Sequence, residues 1–162
     1  MKNQQIRFFL IVIIFCLSSC NKKDHTKPKV YTISPYDTEM NNAIETAKQT
    51  LDSFDYAFKN NSRIFTFFGL KKRFKENQII EHVWIGNIQI KNEKYIGIID
   101  NIPEKIKNVK LGDTLKIDKR DISDWMYIKN SKLYGGYTTR LLVKRMSKKE
   151  REQFDKESGL KI

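Results

Sequence analysis

Between residues 38 and 58, apolar residues recur every three or four positions along the chain. This spacing predicts one amphipathic helix, and Asp37 or Thr38 is placed to cap its start. The opposite face carries polar and charged side chains, so we expect the helix to pack on a sheet through its apolar stripe. That stripe comprises Met40, Ile44, Ala47, Leu51, Phe54 and Phe58.

From Arg63 onward the pattern changes to short runs of β-branched and aromatic residues separated by turn-forming residues. This pattern is typical of a meandering, mainly antiparallel sheet. Alternation in the first run puts Leu70 and Phe74 on one face and Lys71 on the other, and Gly69 is expected to mark a bulge. The five predicted strands lie near residues 63–75, 79–90, 94–99, 113–118 and 125–128.

The residues after Gly135-Gly136 predict C-terminal helices. Residues 137–146 fit neither a strand period nor a helix period cleanly, and we favour a helix. Ser147 with Glu150 forms a capping box, which predicts a terminal helix that ends near Gly159. A helix, then a sheet of about five strands, then helices make an α+β domain, which we place at residues 36–162.

The start of the chain has the layout of a cleaved export signal. Two basic residues, Lys2 and Arg7, lead into the apolar run 8–17, which as a helix is about 15 Å long, too short to cross a bilayer. The sequence Leu17-Ser18-Ser19-Cys20 resembles the bacterial lipobox. That resemblance implies cleavage after residue 19 and diacylation of Cys20. The alternative is an ordinary secretory signal with an accidental cysteine.

A lipid on Cys20 would tether the mature protein to the inner or outer membrane of the cell envelope. The domain would then face the periplasm or the cell surface. Residues 20–35 are polar and rich in lysine, which predicts a flexible basic tether. Its lysines can contact anionic head groups or simply keep the linker soluble.

Cysteine and histidine are too few for the usual metal and thiol chemistry. Cys16 is removed with residues 1–19, and Cys20 carries the lipid, so disulfides, thiolate metal sites and cysteine nucleophiles are excluded. Only two histidines are present, His25 in the tether and His82 in the domain. We therefore expect no metal and no cofactor.

The net charge of the whole chain is +12, and removal of the signal leaves 29 basic against 19 acidic residues. Export argues against a nucleic-acid partner, and so does the excess of 24 lysines over 7 arginines in the whole chain, because bidentate phosphate recognition favours arginine. Two interpretations remain open. The lysines form a solvated surface in a compositionally biased chain, or they attract an anionic envelope component.

Three clusters of residues stand out in the second half of the chain. Together with a Thr-Leu-x-x-Phe stretch at 50–54 and turns at 101–103 and 112–113, they resemble a bacterial family, domain of unknown function 2314, with YegJ-like members. The resemblance spans about residues 36–146 and implies a fold and marked positions, but no established activity. The clusters are Glu81-His82-Val83-Trp84, Ile122-Ser123-Asp124-Trp125-Met126-Tyr127 and Gly135-Gly136-Tyr137-Thr138-Thr139-Arg140.

Each marked residue has a structural and a functional interpretation. Structurally, Ser123-Asp124 is a turn or cap before a buried Trp125 whose N–H needs an acceptor, and Arg140 pairs with Asp124 or Glu81. Functionally, aromatic side chains with a few polar groups can surround a ligand cleft. The candidate binding residues are Trp84, Trp125, Tyr127, Tyr134, Tyr137 and Arg140.

Three functions compete. The sequence favours a binding or structural module for an envelope ligand or protein, and an immunity or inhibitor protein is the alternative. The third is an envelope hydrolase with His82 as base, Ser123 as nucleophile and Asp124 as the orienting carboxylate. Ser123 lacks the glycine pattern of a nucleophile elbow, so a non-enzymatic role is favoured.

Overall fold

The computed structural model describes residues 36–61, 64–92 and 94–162. The predicted signal at 1–19, the lipidation site Cys20 and the tether to residue 35 lie outside these ranges. Among the described residues, no helix is long and apolar enough to cross a membrane.

The described residues form an α+β fold with one antiparallel sheet, in the strand order β4-β3-β2-β1-β5-β6. The α+β class is as predicted, but the sheet has six strands where five were predicted. The strands are β1 (Phe67–Glu76), β2 (Ile79–Lys91), β3 (Lys94–Ile99), β4 (Thr114–Ile117), β5 (Ile122–Lys129) and β6 (Lys132–Gly135). The helices are α1 (Thr38–Gln49), α2 (Leu51–Asn61), α3 (Tyr137–Lys144) and α4 (Lys148–Ser158).

The single N-terminal helix predicted from periodicity is two helices, α1 and α2, separated at Thr50. The indole N–H of Trp125 donates to the carbonyl of Ala47 at 2.9 Å, which occupies the oxygen that Leu51 would bond in a continuous helix. The hydroxyl of Thr50 also donates to the carbonyl of Thr46 at 2.7 Å. Such side-chain competition with the backbone interrupts a helix.

Other helix predictions are confirmed. Asp37 caps α1 by accepting a hydrogen bond from the backbone N–H of Met40 at 3.0 Å. The segment 137–146 contains a helix, α3 (Tyr137–Lys144), rather than a strand, as favoured from the sequence. Ser147 and Glu150 form the predicted capping box of α4, and Gly159 ends that helix in the left-handed region.

The core lies between α1, α2 and one face of the sheet. Phe54 of α2 is fully buried and its ring contacts those of Phe68 and Trp125. Full burial of a side chain of this size contributes about 2 kcal/mol, so this apolar stripe is a main source of stability. The buried cluster also includes Ala47, Leu51, Leu70, Val83, Ile85, Tyr95 and Ile122.

The missed strand is β6, which pairs with β5 through a two-residue hairpin. The turn residues Asn130 and Ser131 both have positive φ, 50° and 60°, the geometry that matches the twist of paired strands. β6 has four residues and no β-branched side chain, so its sequence carries little strand signal.

Gly135 ends β6 where the chain turns toward α3, at φ +66°. A Cβ there would collide with the carbonyl oxygen and the indole ring of Trp125, whereas one on Gly112, at φ +89°, would meet nothing within 4 Å. Gly112→Ala should cost about 1 kcal/mol from backbone conformation. Gly135→Ala should cost about 3 kcal/mol, because steric overlap adds to it.

Urea unfolding of both alanine variants measures this difference. Equal losses of stability would contradict the close approach of Gly135 to Trp125.

Candidate functional site

The carboxylate of Asp124 lies in the interior and accepts four hydrogen bonds. Its Oδ1 accepts from the N–H groups of Trp125 at 2.8 Å and Tyr137 at 3.2 Å. Its Oδ2 accepts from the N–H and the hydroxyl of Thr138, at 2.8 and 2.6 Å. Because Gly136 at the N-cap of α3 has no side chain, Asp124 of β5 supplies the cap that this helix needs.

A buried lysine balances this carboxylate through a hydroxyl. Lys71 of β1 pairs with Asp124 across the sheet, and its ammonium donates to the Thr138 hydroxyl at 2.8 Å. The ammonium also lies 4.7 Å from the centre of the Trp84 ring, at a distance that favours a cation–π contact. Ammonium, hydroxyl and carboxylate thus form one chain of hydrogen bonds.

Burial shifts both charged groups toward neutrality. It lowers the pKa of Lys71 to about 8, and the carboxylate of Asp124 opposes that shift. Burial also raises the pKa of Asp124, while Lys71 and the hydrogen bonds from Thr138 oppose the rise. The pair is retained in the interior because each group offsets part of the desolvation of the other.

Ser123 is the extra residue of a bulge in β5, since Lys71 pairs with Asp124 and Lys72 with Ile122. The expected bulge at Gly69 is wrong, because β1 and β5 stay in register there. The hydroxyl of Ser123 donates to the carbonyl of Lys71 at 3.2 Å and lies 2.7 Å from Nδ1 of His82.

His82 stays neutral over most of the pH range. Burial lowers its pKa to about 4, and the positive charges of Lys71 and Arg73 add to the effect. A neutral imidazole that donates from Nδ1 pairs with the Ser123 hydroxyl, which in turn donates to the carbonyl of Lys71. This arrangement accounts for His82 as a structural side chain of β2.

The structure brings together only two members of the hydrolase constellation. His82 and Ser123 are in contact, but the carboxylate of Asp124 bonds Trp125, Tyr137 and Thr138. Ser123 is only 2% exposed, so a substrate carbonyl has no open approach to its hydroxyl. The arrangement therefore lacks both the orienting carboxylate and the accessible nucleophile that acyl transfer requires.

The predicted binding aromatics lie on two faces of the sheet. Trp84 pairs with Lys71 and Trp125 with its neighbour Leu70, so the two indoles point to opposite faces. Trp125 is 3% exposed and contacts the rings of Tyr127 and Tyr137. Because these two indoles lie on opposite faces, the predicted residues do not line one common cleft, and Trp125 belongs to the core.

Arg140 is placed differently from the expectation. Its guanidinium donates to the carbonyls of Gly135 at 2.8 Å and Leu133 at 2.6 Å, which holds the end of β6 against α3. The carboxylate of Glu81 accepts instead from the backbone N–H groups of residues 104, 105 and 106. Both contacts are structural.

Three rings form a continuous row beside the β5–β6 hairpin. The centroids of Phe65 and Tyr127 are 4.7 Å apart, and those of Tyr127 and Tyr134 are 4.9 Å apart. We call Phe65, Tyr127 and Tyr134 the aromatic row. Lys129 lies 5.7 Å from the Phe65 ring centre, and Lys132 lies 5.4 Å from that of Tyr134.

A surface hollow of about 420 Å³ opens at one end of the aromatic row. Phe65 and Tyr127 form one wall, and residues of α2 form the other. Burial raises the pKa of Tyr127, so its hydroxyl stays protonated and can donate. The lining residues from α2 are Asp52, Ser53, Tyr56 and Ala57.

Several of these residues were not found from the sequence. Lys71 was placed on the polar face of β1, but its burial depends on Thr138, which lies 67 residues away. Phe65 and Lys132 belonged to no recognised motif. Had strand β6 been predicted, its hairpin with β5 would have placed Lys132 opposite Lys129. Among the described residues, no group of three or more acidic, histidine or cysteine side chains is placed to hold a metal ion.

Comparisons with known proteins give the family. A family model described as "Uncharacterized protein conserved in bacteria (DUF2314)" matches residues 37–162. The chain belongs to this family. The resemblance noted in the sequence motifs is therefore confirmed, and it carries no established activity.

Two relatives are similar over most of this chain. Uncharacterized protein YegJ of Escherichia coli K12 is 35% identical over 119 residues, which cover 73% of this chain and 76% of that protein. A putative ankyrin repeat protein of Neisseria meningitidis serogroup B is 30% identical over 139 residues. This match covers 81% of this chain but 55% of the meningococcal protein. No solved structure matches the chain.

Asp124→Asn should destabilise the fold by about 3 kcal/mol, because an amide nitrogen then faces backbone donors and Lys71 loses its countercharge. The matched control is Asp121→Asn, whose carboxylate is partly exposed and bonds Lys72 at 2.6 Å. That change should cost less than about 1 kcal/mol. Chemical denaturation at neutral pH measures both, and similar losses would contradict the role of Asp124.

His82 should make stability depend on pH between about 4 and 6.5. In this window the unfolded chain binds the proton that folded His82 excludes, so stability falls as the pH falls. The free energy of unfolding should fall by up to about 3 kcal/mol across this window.

A His82→Asn variant keeps a donor for Ser123 and removes the titrating group. Its stability should change less between pH 6.5 and 4 than that of the unsubstituted protein. Parallel pH profiles of the two would contradict the assignment.

Proposed function

We propose that the protein is a lipid-anchored binding module of the bacterial cell envelope. The observation that carries the binding role is the aromatic row beside a surface hollow. Aromatic walls with a few polar groups are the usual composition of ligand sites. Tyr56, which lines the hollow, is 68% exposed, so its ring and hydroxyl are accessible to a ligand.

The marked sequence motifs support this role indirectly. Asp124 and Ser123 are engaged in hydrogen bonds within the fold, so they hold the sheet and α3 rather than react with a substrate. A rigid scaffold of this kind positions surface residues without contacting a ligand itself. The binding surface then lies on the hairpin and on α2, outside the buried network.

The anchor rests on the sequence alone. A basic head, a short apolar run and Leu17-Ser18-Ser19-Cys20 support export followed by acylation of Cys20. Two acyl chains give stable membrane attachment, whereas one chain gives only reversible binding. We propose attachment to an envelope membrane, with the binding domain outside the cytoplasm.

Cys20→Ala tests the anchor. This change should move the protein from the membrane fraction to the soluble fraction, because no acyl chain can be attached. A Cys16→Ala control should stay with the membrane. Continued membrane association of the Cys20→Ala protein with an uncleaved signal would instead identify residues 8–17 as the anchor.

A photo-crosslinking amino acid in place of Tyr56 tests the binding role in intact cells. Illumination should give a specific adduct with an envelope component. The same amino acid in place of Lys94, at the β2–β3 hairpin, is the control. Absence of any adduct specific to position 56 would contradict a binding function at the hollow.

A further inference from the structure

The surface around the aromatic row combines three kinds of group. The row gives apolar ring surface, Lys129 and Lys132 give positive charge, and the hollow adds the carboxylate of Asp52 and the hydroxyl of Ser53. We propose that this surface binds an acidic polysaccharide of the envelope. This inference rests on the proposed binding role. The three groups match the three chemical features of such a polymer.

The rings match the apolar C–H faces of sugar rings. Packing of such faces on aromatic side chains removes apolar area from water, and the ring quadrupole attracts the polarised hydrogens. The rings of Phe65 and Tyr127 are tilted against each other at 4.7 Å, and those of Tyr127 and Tyr134 are stacked at 4.9 Å. All three rings are partly exposed. Consecutive rings suit a repeating ligand better than a single small molecule.

Asp52 and Ser53 match the sugar hydroxyls. Both side chains are exposed on the wall of the hollow opposite Phe65 and Tyr127. A carboxylate accepts hydrogen bonds from hydroxyl groups, and a serine hydroxyl both donates and accepts. An acyl chain has no hydrogen-bonding group for these side chains, which favours a sugar over the tail of a lipid.

Lys129 and Lys132 match the acidic groups of the polymer. The two lysines pair across the β5–β6 hairpin, so their ammonium groups flank the aromatic row. Among the described residues, no salt bridge is formed by either lysine. Their charge is therefore available to carboxylate or phosphate groups of a ligand.

The β2–β3 hairpin offers a matched control. Lys91 and Lys94 pair across that hairpin as Lys129 and Lys132 do across the other. In the strand order of the sheet, β1 lies between the β2–β3 hairpin and the β5–β6 hairpin of the aromatic row. Neutralising either lysine pair removes two positive charges, so the two double variants differ only in which hairpin loses its charge.

The test measures binding of the full-length protein in detergent by calorimetry. The probes are polygalacturonate, a carboxylated polysaccharide, and dextran, a neutral one. The protein should bind polygalacturonate more tightly than dextran, and added salt should weaken the binding. Lys129→Gln with Lys132→Gln should reduce the affinity about tenfold, whereas Lys91→Gln with Lys94→Gln should leave it nearly unchanged.

Tyr134→Ala should also weaken polygalacturonate binding, with the fold checked by thermal unfolding. Equal affinity for both polymers, no binding to either, or equal loss in the two lysine variants would overturn the proposal. Binding to phosphatidylglycerol vesicles through Lys129 and Lys132, without binding to polygalacturonate, would also overturn it.

The crosslinking experiment separates failure of this inference from failure of the binding role. If the adduct at position 56 contains a protein and no sugar, and polygalacturonate does not bind, the polysaccharide proposal is overturned and the binding function is supported. If there is no adduct at position 56 and no polygalacturonate binding, both proposals are overturned.

Discussion

The carboxylate of Asp124 joins parts of the chain that local preferences would leave separate. It fixes the backbone of Trp125, caps α3 through Tyr137 and Thr138, and balances the buried ammonium of Lys71. An unpaired charge at this depth would cost several kcal/mol. The strands β1 and β5 and the start of α3 are therefore constrained to one arrangement.

Trp125 extends this constraint to the helices. Its indole N–H reaches the carbonyl of Ala47, so the position of β5 sets where α1 ends and α2 begins. The same indole lies against Gly135, whose missing side chain lets the chain turn closely past it. The two sequence motifs, Ser-Asp-Trp and Gly-Gly-Tyr-Thr, thus contact each other within the fold. This contact explains both motifs without a ligand.

Periodicity predicted what depends on neighbouring residues and missed what depends on distant ones. The apolar stripe through Phe54 and the alternation of Leu70 with Lys71 follow from helix and strand geometry, and the structure has both. The break at Thr50 comes from Trp125, 75 residues away, and the burial of Lys71 comes from Thr138. The sequence predicted two of the three residues of the aromatic row, Tyr127 and Tyr134, and missed Phe65, whose ring meets Tyr127 from a distant part of the chain.

The central claim is that Asp124 acts with Thr138 as one structural unit, and a double-mutant cycle tests it most directly. Asp124→Asn, Thr138→Val and the combined change are compared by chemical denaturation. The two side chains share a 2.6 Å hydrogen bond, so the coupling energy should be between about 1 and 3 kcal/mol. A coupling energy within about 0.3 kcal/mol of zero would contradict the account.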